Sequence, residues 1–317
     1  MPSFSFDPTR RPLSAGELLD RTITVLVRRA LPFLAMVAVV AVPVTIAQLL
    51  IPNGISEVLN AIAKSSSQPP GPATNQAILR AVQTAHISGW LVLEYAIVAI
   101  TMPLAGASVM FAASQAYDGQ AASLRDALAS GVRRWFPAVG VVLSWILGGS
   151  VATVAAVFAI VFGGTAAFFA FRAVNMNLAV GLAIAVSVIA FIVVAFAAVV
   201  LTMVYMLSFA AAVLETANPF VAIGRAFTRV FTRTEFWRSA LLALALIFVS
   251  LALSVAGLIA GGAAYSISHA DAGLIIFSQL ASLLAFAFQF VFGAMYYRDV
   301  RLRREGTDLL EIVDAPL

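Results

Sequence analysis

Six long apolar stretches dominate the pattern of hydrophobic and polar positions along the chain. Each is long enough to cross the hydrocarbon core of a bilayer as a helix, which takes about 20 residues. The stretch from Val139 to Phe171 is longer than a bilayer requires, so we expect it to tilt or to project beyond the membrane. The six predicted spans are Leu31–Ile51, Ile87–Ala113, Phe136–Phe162, Leu178–Leu207, Leu241–Ala264 and Leu274–Tyr297.

An amphipathic segment precedes the first span. Ser14 and Glu17 have the spacing of a capping box, which predicts that a helix begins there. Apolar and polar residues then recur at helical spacing, so the two kinds fall on opposite faces. The predicted apolar face contains Leu19, Ile23, Leu26 and Ala30, and the polar face contains Glu17, Asp20, Arg21, Thr24 and Arg28.

Similar segments precede the third and fifth spans. The second begins near Ser123, and the third has Asn218 as its predicted N-cap with Pro219 at the first helical position. The apolar positions of the second segment are Leu124, Leu128 and Val132, beside Arg125, Arg133 and Arg134. Those of the third are Phe220, Ile223, Phe227, Val230 and Phe231, opposite Arg225, Arg229 and Thr232.

Each amphipathic segment leads into a pair of spans, which predicts three structural repeats within one membrane domain of residues 1–317. The repeats cover about 13–113, 121–210 and 217–300, at a period near one hundred residues. Residues 63–77 are expected to form a mobile loop on the outer side, preceded by a short helix at Asn53–Ile62. Residues 299–317 form a predicted cytoplasmic tail.

The composition excludes an ordinary soluble enzyme and a disordered chain. Hydrophobic residues make up 62% of the 317 residues and charged residues 11%. A soluble domain has about 45–50% hydrophobic residues and about 25% charged residues, because charges cover much of its surface. The predicted fold class is therefore all-α, a polytopic bundle of six transmembrane helices with three amphipathic helices.

The distribution of basic residues predicts the orientation of the bundle. Of the 19 Lys and Arg residues, only Lys64, Arg80 and Arg172 fall on one side of the predicted membrane, and the other sixteen fall on the opposite side. Basic residues are enriched in cytoplasmic segments. We therefore expect a multi-pass protein with both the N-terminus and the C-terminus in the cytoplasm.

The arginines of the amphipathic segments are candidate contacts for lipid headgroups. An apolar face can enter the acyl boundary while arginines meet anionic lipids. Two alternatives remain: the three helices could pack beneath the bundle as a collar, and the arginines could simply reflect the positive-inside rule. The candidates are Arg21, Arg28, Arg29, Arg133, Arg134, Arg225, Arg229, Arg233 and Arg238.

Glu94 is the outstanding polar residue of the predicted spans. It lies about 10 Å into the second span at 1.5 Å per residue, where an ionised side chain is costly unless it is protonated, paired or hydrated. It could serve proton coupling or headgroup binding in a cavity, or it could be a buried carboxyl bonded to a neighbour. Gln48, Gln279 and Gln289 are further polar residues of the spans, and interhelical hydrogen bonds usually explain such amides.

Three stretches resemble the bacterial family named for the membrane domain of glycerophosphoryl diester phosphodiesterases. The first is Arg11–Arg21, followed by Arg28 and Arg29; the second is Val213–Glu215, followed by Ala222, Arg225–Phe227 and Phe236–Arg238; the third is Tyr296–Gly306, followed by Asp308 and Leu309. The resemblance covers the chain from Arg11 to about Leu309. It implies a stand-alone membrane domain in the bacterial cytoplasmic (inner) membrane, without the soluble catalytic domain to which some members are fused.

The chemistry-bearing residues argue against an enzyme. Cysteine is absent and histidine occurs only at His86 and His269, so we expect no metal, no cofactor and no phosphodiesterase activity. The sequence favours a lipid-associated scaffold or accessory protein. The alternative is a transporter or lipid translocator with a polar site around Glu94. Expected partners are membrane lipids, anionic ones in particular, and a membrane protein or a second copy of the chain, but not nucleic acid.

Overall fold

A computed structural model describes residues 12–50, 89–120, 123–268 and 271–305 of the chain. Within these ranges the chain forms nine helices and no strand. They are α1 (Ala15–Arg28), α2 (Ala30–Leu50), α3 (Gly89–Tyr117), α4 (Leu124–Arg133), α5 (Trp135–Phe171), α6 (Met176–Leu214), α7 (Pro219–Val230), α8 (Phe236–Ser268) and α9 (Asp271–Glu305).

Five of these helices are long and apolar enough to cross a membrane. They contribute the segments Ala96–Tyr117, Trp135–Phe171, Met176–Leu214, Phe236–Ile267 and Ala272–Arg304. The number rises to six if α1 and α2, which meet at a bend of 80°, count together as one broken span. The protein is thus an all-helical chain with five or six candidate spans, and its helices cover all six predicted stretches except Ile51 and 87–88, which lie outside the described residues.

The predicted helix starts are confirmed by side-chain caps. The Ser14 hydroxyl accepts a hydrogen bond from the Glu17 backbone N–H at 3.2 Å, and the Glu17 carboxylate accepts one from the Ser14 N–H at 2.8 Å. The Ser123 side chain caps α4. The Asn218 side chain accepts from two backbone N–H groups of α7, whose first residue is Pro219. These bonds satisfy donors that a helix N-terminus otherwise leaves without partners.

The second helices of the three hairpins, α3, α6 and α9, lie at the centre of the bundle and all contact one another. The first helices, α2, α5 and α8, lie outside them. Each outer helix packs against its own hairpin partner and also against the inner helix of the preceding hairpin: α5 against α3, α8 against α6, and α2 against α9. The hairpins are therefore arranged in a cycle, in which the first hairpin packs against the third as the second packs against the first and the third against the second.

The short helices follow the same cyclic order. Helix α4 packs against α3, α7 packs against α6, and α1 packs against α9. Close approach at α4 depends on Gly131, because a Cβ there would lie 2.9 Å from the Leu104 carbonyl oxygen and closer still to the Ser108 hydroxyl. Each short helix thus packs against one inner helix, and at α4 the packing is tight.

The hydrophobic core lies where the inner helices meet. Its largest fully buried side chains include Met110, Met203, Phe209 and Phe292. The hairpin of α5 and α6 extends away from this core, and most residues from 146 to 199 are exposed apolar side chains. Helix α5 has 37 residues, so it is about 55 Å long. The stretch Val139–Phe171, which was predicted to be longer than a bilayer requires, lies entirely within this one continuous helix.

The predicted apolar face of α1 contacts the protein only in part: Leu19 and Leu26 pack against the hydrophobic core. Leu18, Thr22 and Val25 are buried, whereas Ile23 of the predicted face is 49% exposed. The helix is apolar over a wide arc, and only part of that arc is buried. The periodic pattern identifies the apolar arc, but it does not say which part of the arc meets protein.

The predicted apolar faces of α4 and α7 contact the protein only in part: Leu128 packs against the hydrophobic core and Val230 is buried. The buried residues are small in both helices, Ala127 and Gly131 in α4 and Ala222 and Ala226 in α7, together with Arg229 and Val230. Five other large apolar residues of the two predicted faces are exposed: Leu124, Val132, Phe220, Phe227 and Phe231. Small residues allow helix backbones to approach closely, so they occupy the protein contact.

Several sequence predictions fall outside the described residues. These are the loop at 63–77, the short helix at Asn53–Ile62, both histidines and the part of the tail beyond residue 305. Gln48 and Glu94 lie in α2 and α3, but their side chains are also outside the described part.

Candidate functional site: the charged networks and the exposed basic positions

Asp299 is the centre of a buried polar network near the end of α9. Its two carboxylate oxygens accept hydrogen bonds at 2.6 Å from the Leu13 backbone N–H and from the Arg238 guanidinium. The Arg303 Nε donates to it at 3.0 Å. Arg238 and Arg303 also donate to the Leu13 carbonyl oxygen. This network joins the start of the described chain to the last helix and to α8.

Arg238 is shared between Asp299 and a second set of neighbours. Its guanidinium lies 3.2 Å from the Glu235 carboxylate and packs over the Tyr296 ring at 5.4 Å. The Tyr296 hydroxyl in turn forms a 2.6 Å hydrogen bond with the Ser239 hydroxyl. A charge that is largely buried must be paired to be tolerated. Arg238 meets that condition fully.

Glu215, directly after α6, is the centre of a second network. Its carboxylate pairs with Arg225 at 2.6 Å and with Arg229 at 3.2 Å, and it accepts a short hydrogen bond from the Tyr297 hydroxyl. The Arg229 guanidinium also packs over the Tyr297 ring at 5.1 Å. The network fastens α7 to the ends of α6 and α9.

The charges of this second network alter proton affinities. Burial alone would raise the pKa of Glu215, but the Tyr297 hydrogen bond and the charges of Arg229 and Arg225 outweigh it and lower that pKa. Burial alone would lower the pKa of Arg229, but its contacts with Tyr297 and Glu215 raise it. Both groups therefore stay charged at neutral pH.

The end of α3 forms a third meeting point. Asp118 pairs with Arg298 of α9. The Arg21 guanidinium lies over the Tyr117 ring at 5.1 Å and donates to the Tyr117 carbonyl oxygen at 3.5 Å. Arg29 donates to the Gln120 carbonyl oxygen at 3.3 Å. The ends of all three inner helices thus carry polar clusters.

The nine predicted headgroup arginines divide into two groups. Six interact within the protein: Arg21, Arg28, Arg29, Arg225, Arg229 and Arg238. Arg133, Arg134 and Arg233 form no ion pair or hydrogen bond through their side chains with any other described residue, and Arg133 and Arg233 are exposed. These three cations remain open to an external anion.

Exposed aromatic and aliphatic side chains lie next to the three open arginines in the sequence. Val132 and Phe136 flank Arg133 and Arg134, and Phe136 is 77% exposed. Phe231 and Trp237 flank Arg233, and Trp237 is 69% exposed. Basic residues beside aromatic residues are typical of positions at a membrane–water interface.

Of the four predicted polar residues of the spans, Gln279 and Gln289 have side chains that the structure describes. The Gln289 amide donates to the Ser250 hydroxyl at 2.9 Å and so links α9 to α8. Gln279 borders a small cavity of about 60 Å³ between α2, α3 and α9. For Gln289, the interhelical hydrogen bond expected of such amides is present.

Sequence reasoning missed the acidic centres of the networks. Glu215 and Asp299 were noticed only as parts of stretches that resemble a family. A usable signal was present, because each is an acidic residue at the end of an apolar span in a segment otherwise rich in arginine. An acid in such a place is expected to pair with the arginines around it.

No group of three His, Asp or Glu side chains that could hold a metal occurs among the described residues. The saturated networks can fasten helices together, and the open arginines can bind anionic oxygens. Comparison of the chain with protein-family models, curated proteins and solved structures found no match.

Proposed function

We propose that this chain is a six-span protein of the bacterial inner membrane that binds anionic lipids of the inner leaflet, as a scaffold or accessory protein. Three repeats of one short helix and two spans build it, and both termini lie in the cytoplasm. The observation that supports lipid binding most directly is the pairing of open arginines with exposed large apolar side chains.

The outward faces of the short helices have the chemistry of an interfacial surface. Helices α4 and α7 bury small residues against the bundle and expose Val132 and Phe220, and Phe231 directly after α7 is exposed as well. In water such residues would be costly to expose, whereas at a bilayer they can enter the acyl boundary. Arg133, Arg134 and Arg233 then lie at the level at which phosphate groups occur.

The paired arginines have a different proposed role. Arg229 and Arg238 are mostly buried and bonded to carboxylates. Binding a lipid phosphate would require them to leave those partners. We therefore assign lipid contact to the three open arginines, and assign the stability of the bundle to the paired ones.

The repeat proposal is supported by the cyclic contacts of the helices. Each short helix packs against the inner helix of the hairpin that precedes it, and α1 packs against α9 as though the third hairpin preceded the first. The six-span proposal is supported by the contact of Leu13 with Asp299. Two segments in contact at the ends of spans lie on the same side of the membrane. An even number of spans must therefore separate them along the chain.

Family membership is also a proposal. The stretches that resemble the phosphodiesterase membrane-domain family meet in the two buried networks, through Leu13, Glu215, Arg238 and Asp299. Residues that hold three distant segments together are the kind that a family of membrane bundles would share.

Native mass spectrometry of the protein with phosphatidylglycerol or phosphatidylcholine tests lipid binding. We expect selective retention of phosphatidylglycerol, and a severalfold loss in the variant with Arg133→Ala, Arg134→Ala and Arg233→Ala. The control carries Arg304→Ala, which removes an arginine that also lacks a partner among the described residues but lies on α9, outside the short helices.

Replacing the same three arginines by lysine should restore most of the binding, because a lysine ammonium also attracts phosphate. Equal retention of both lipids by the wild type, or an equal loss in the control, would contradict the proposal. In that case a flux assay of Glu94→Gln would test the transport alternative.

A further inference from the structure

An apolar cavity lies between α3, α5, α6 and α9. It has a volume of about 450 Å³. Every lining residue is apolar except one tyrosine. The residues that matter for the argument are Met102, Pro103, Val142, Ile146, Tyr205 and Phe290.

The lining determines the class of ligand. An apolar cavity of about 150 Å³ stays dry and can hold benzene, and this cavity is about three times larger. A charged or strongly polar ligand would lose its hydration without compensation. The volume falls within the range of about 300–1,000 Å³ that is typical of sites for small ligands. The cavity therefore suits an alkyl chain.

The cavity opens toward the outside of the bundle. Ile146 belongs to both its lining and the outer surface, since 48% of this residue is exposed. It lies on α5, one of the outer helices. In a membrane the molecules next to this surface are lipids, so their acyl chains are the alkyl chains at hand.

The cavity lies close to the start of α5, where two of the open arginines are found. The Trp135 indole donates to the Ile100 carbonyl oxygen at 2.8 Å, and Ile100 follows Ala99 of the cavity lining. Pro103, which has no N–H, interrupts the helical hydrogen bonds in this turn. Val142 lies eight residues beyond Arg134, which is about 12 Å along a helix.

A buried donor lies beside the cavity. The Trp145 Nε1–H is buried and has no acceptor among the described residues. Its ring packs edge-on against Tyr205 of the lining, with the ring centroids 5.9 Å apart. Trp145 lies eleven residues beyond Arg134, about 16 Å along the helix, so this part of the cavity is at the depth of acyl chains.

We propose that the cavity binds one acyl chain of a membrane phospholipid, with the headgroup of that lipid at Arg133 and Arg134. The headgroup half of this inference rests on the proposed function. The acyl-chain half rests on the cavity alone. A bound chain would make the lipid a fixed component of the bundle, wedged between an outer helix and three inner ones.

Photocrosslinking in vesicles tests both halves. Phosphatidylglycerol and phosphatidylcholine with the same diazirine-bearing acyl chain are incorporated into separate vesicles, and labelled residues are mapped by mass spectrometry. We expect strong labelling of the turn around Met102 and Pro103. Val142→Phe should fill the cavity and reduce this labelling severalfold.

Val151→Phe is the matched control, because it makes the same change on the same helix at a position that is 72% exposed. Ala99→Phe is a second filling variant from a different helix, and thermal unfolding verifies that each variant is folded. Unchanged labelling in both folded filling variants would overturn the acyl-chain site. If both lipids labelled the protein equally and Val142→Phe still reduced the labelling, the acyl-chain site would stand. Only the preference for an anionic headgroup would then be overturned.

Discussion

At the scale of single residues, Arg225 and Arg229 share the Glu215 carboxylate but differ in exposure. The Arg225 side chain is 45% exposed and that of Arg229 is 8% exposed. Exposed ion pairs contribute at most about 1 kcal/mol. Breaking a fully buried pair costs about 3–5 kcal/mol, and we expect about 2 kcal/mol for Arg229→Ala because Glu215 remains partly solvated.

Thermal unfolding in one detergent compares the two variants. Arg229→Ala should lower the midpoint clearly, and Arg225→Ala should change it little. Because both variants remove one positive charge, net charge cannot explain a difference between them. Equal effects would show that the geometry around Glu215 does not distinguish the two arginines.

The lowered pKa of Glu215 predicts a specific pH dependence. A carboxyl whose pKa is lower in the folded state than in the unfolded state stabilises the folded state at pH values above its ordinary pKa of 4.5. This stabilisation disappears as the pH falls through the lowered pKa of the folded state. The difference in unfolding midpoint between wild type and Glu215→Gln should therefore be constant near neutral pH and should shrink below about pH 4.5. A difference that stays constant or grows on acidification would contradict this assignment.

At the scale of elements, the sequence predicted where helices begin but not which face they bury. The Ser14–Glu17 box and the Asn218–Pro219 cap are local signals, so they could be identified without the fold. The faces of α4 and α7 could not, since Leu124 and Phe220 are as apolar as any core residue. A membrane accepts apolar surface on both sides of a helix, and the contact with protein goes to small residues such as Ala127 and Ala222.

Gly131 tests this small-residue contact. A methyl group at this position would collide with the Ser108 side chain and the Leu104 carbonyl oxygen of α3. Gly131→Ala should therefore lower the free energy of unfolding by about 1–3 kcal/mol, as overpacking does, although alanine favours helices. The measurement is thermal unfolding in detergent.

Gly224→Ala is the matched control in another short helix. A Cβ at Gly224 would meet nothing within 4 Å, so the change should stabilise the protein by about 0.5–1 kcal/mol through helix propensity. If both substitutions stabilise the protein, α4 is not packed against α3 as closely as described.

At the scale of the whole molecule, the candidate site was only partly predictable. Nine arginines were recognised from their position near span ends, but sequence position alone could not separate paired from open ones. Pairing depends on partners far along the chain, as when Arg238 meets Leu13 and Asp299. These residues come into contact only when the three hairpins have packed in their cyclic order.

The cyclic order also makes a prediction about topology. Leu13 and Asp299 are hydrogen-bonded, so the start of α1 and the end of α9 lie on one side of the membrane. Since five helices pass the test for spans and the bent pair of α1 and α2 gives a sixth, this contact favours six. The basic residues near α7 and α9 predict that the shared side is the cytoplasm.

Single cysteines test this topology without interference, because the chain has none of its own. A membrane-impermeant maleimide should label Val174→Cys, in the turn after α5, in intact cells. Pro12→Cys and Ala217→Cys should react only after the cells are permeabilised. If Pro12→Cys reacted in intact cells while Ala217→Cys did not, the N-terminal segment would lie outside, and neither the six-span topology nor the contact of Leu13 with Asp299 could be correct.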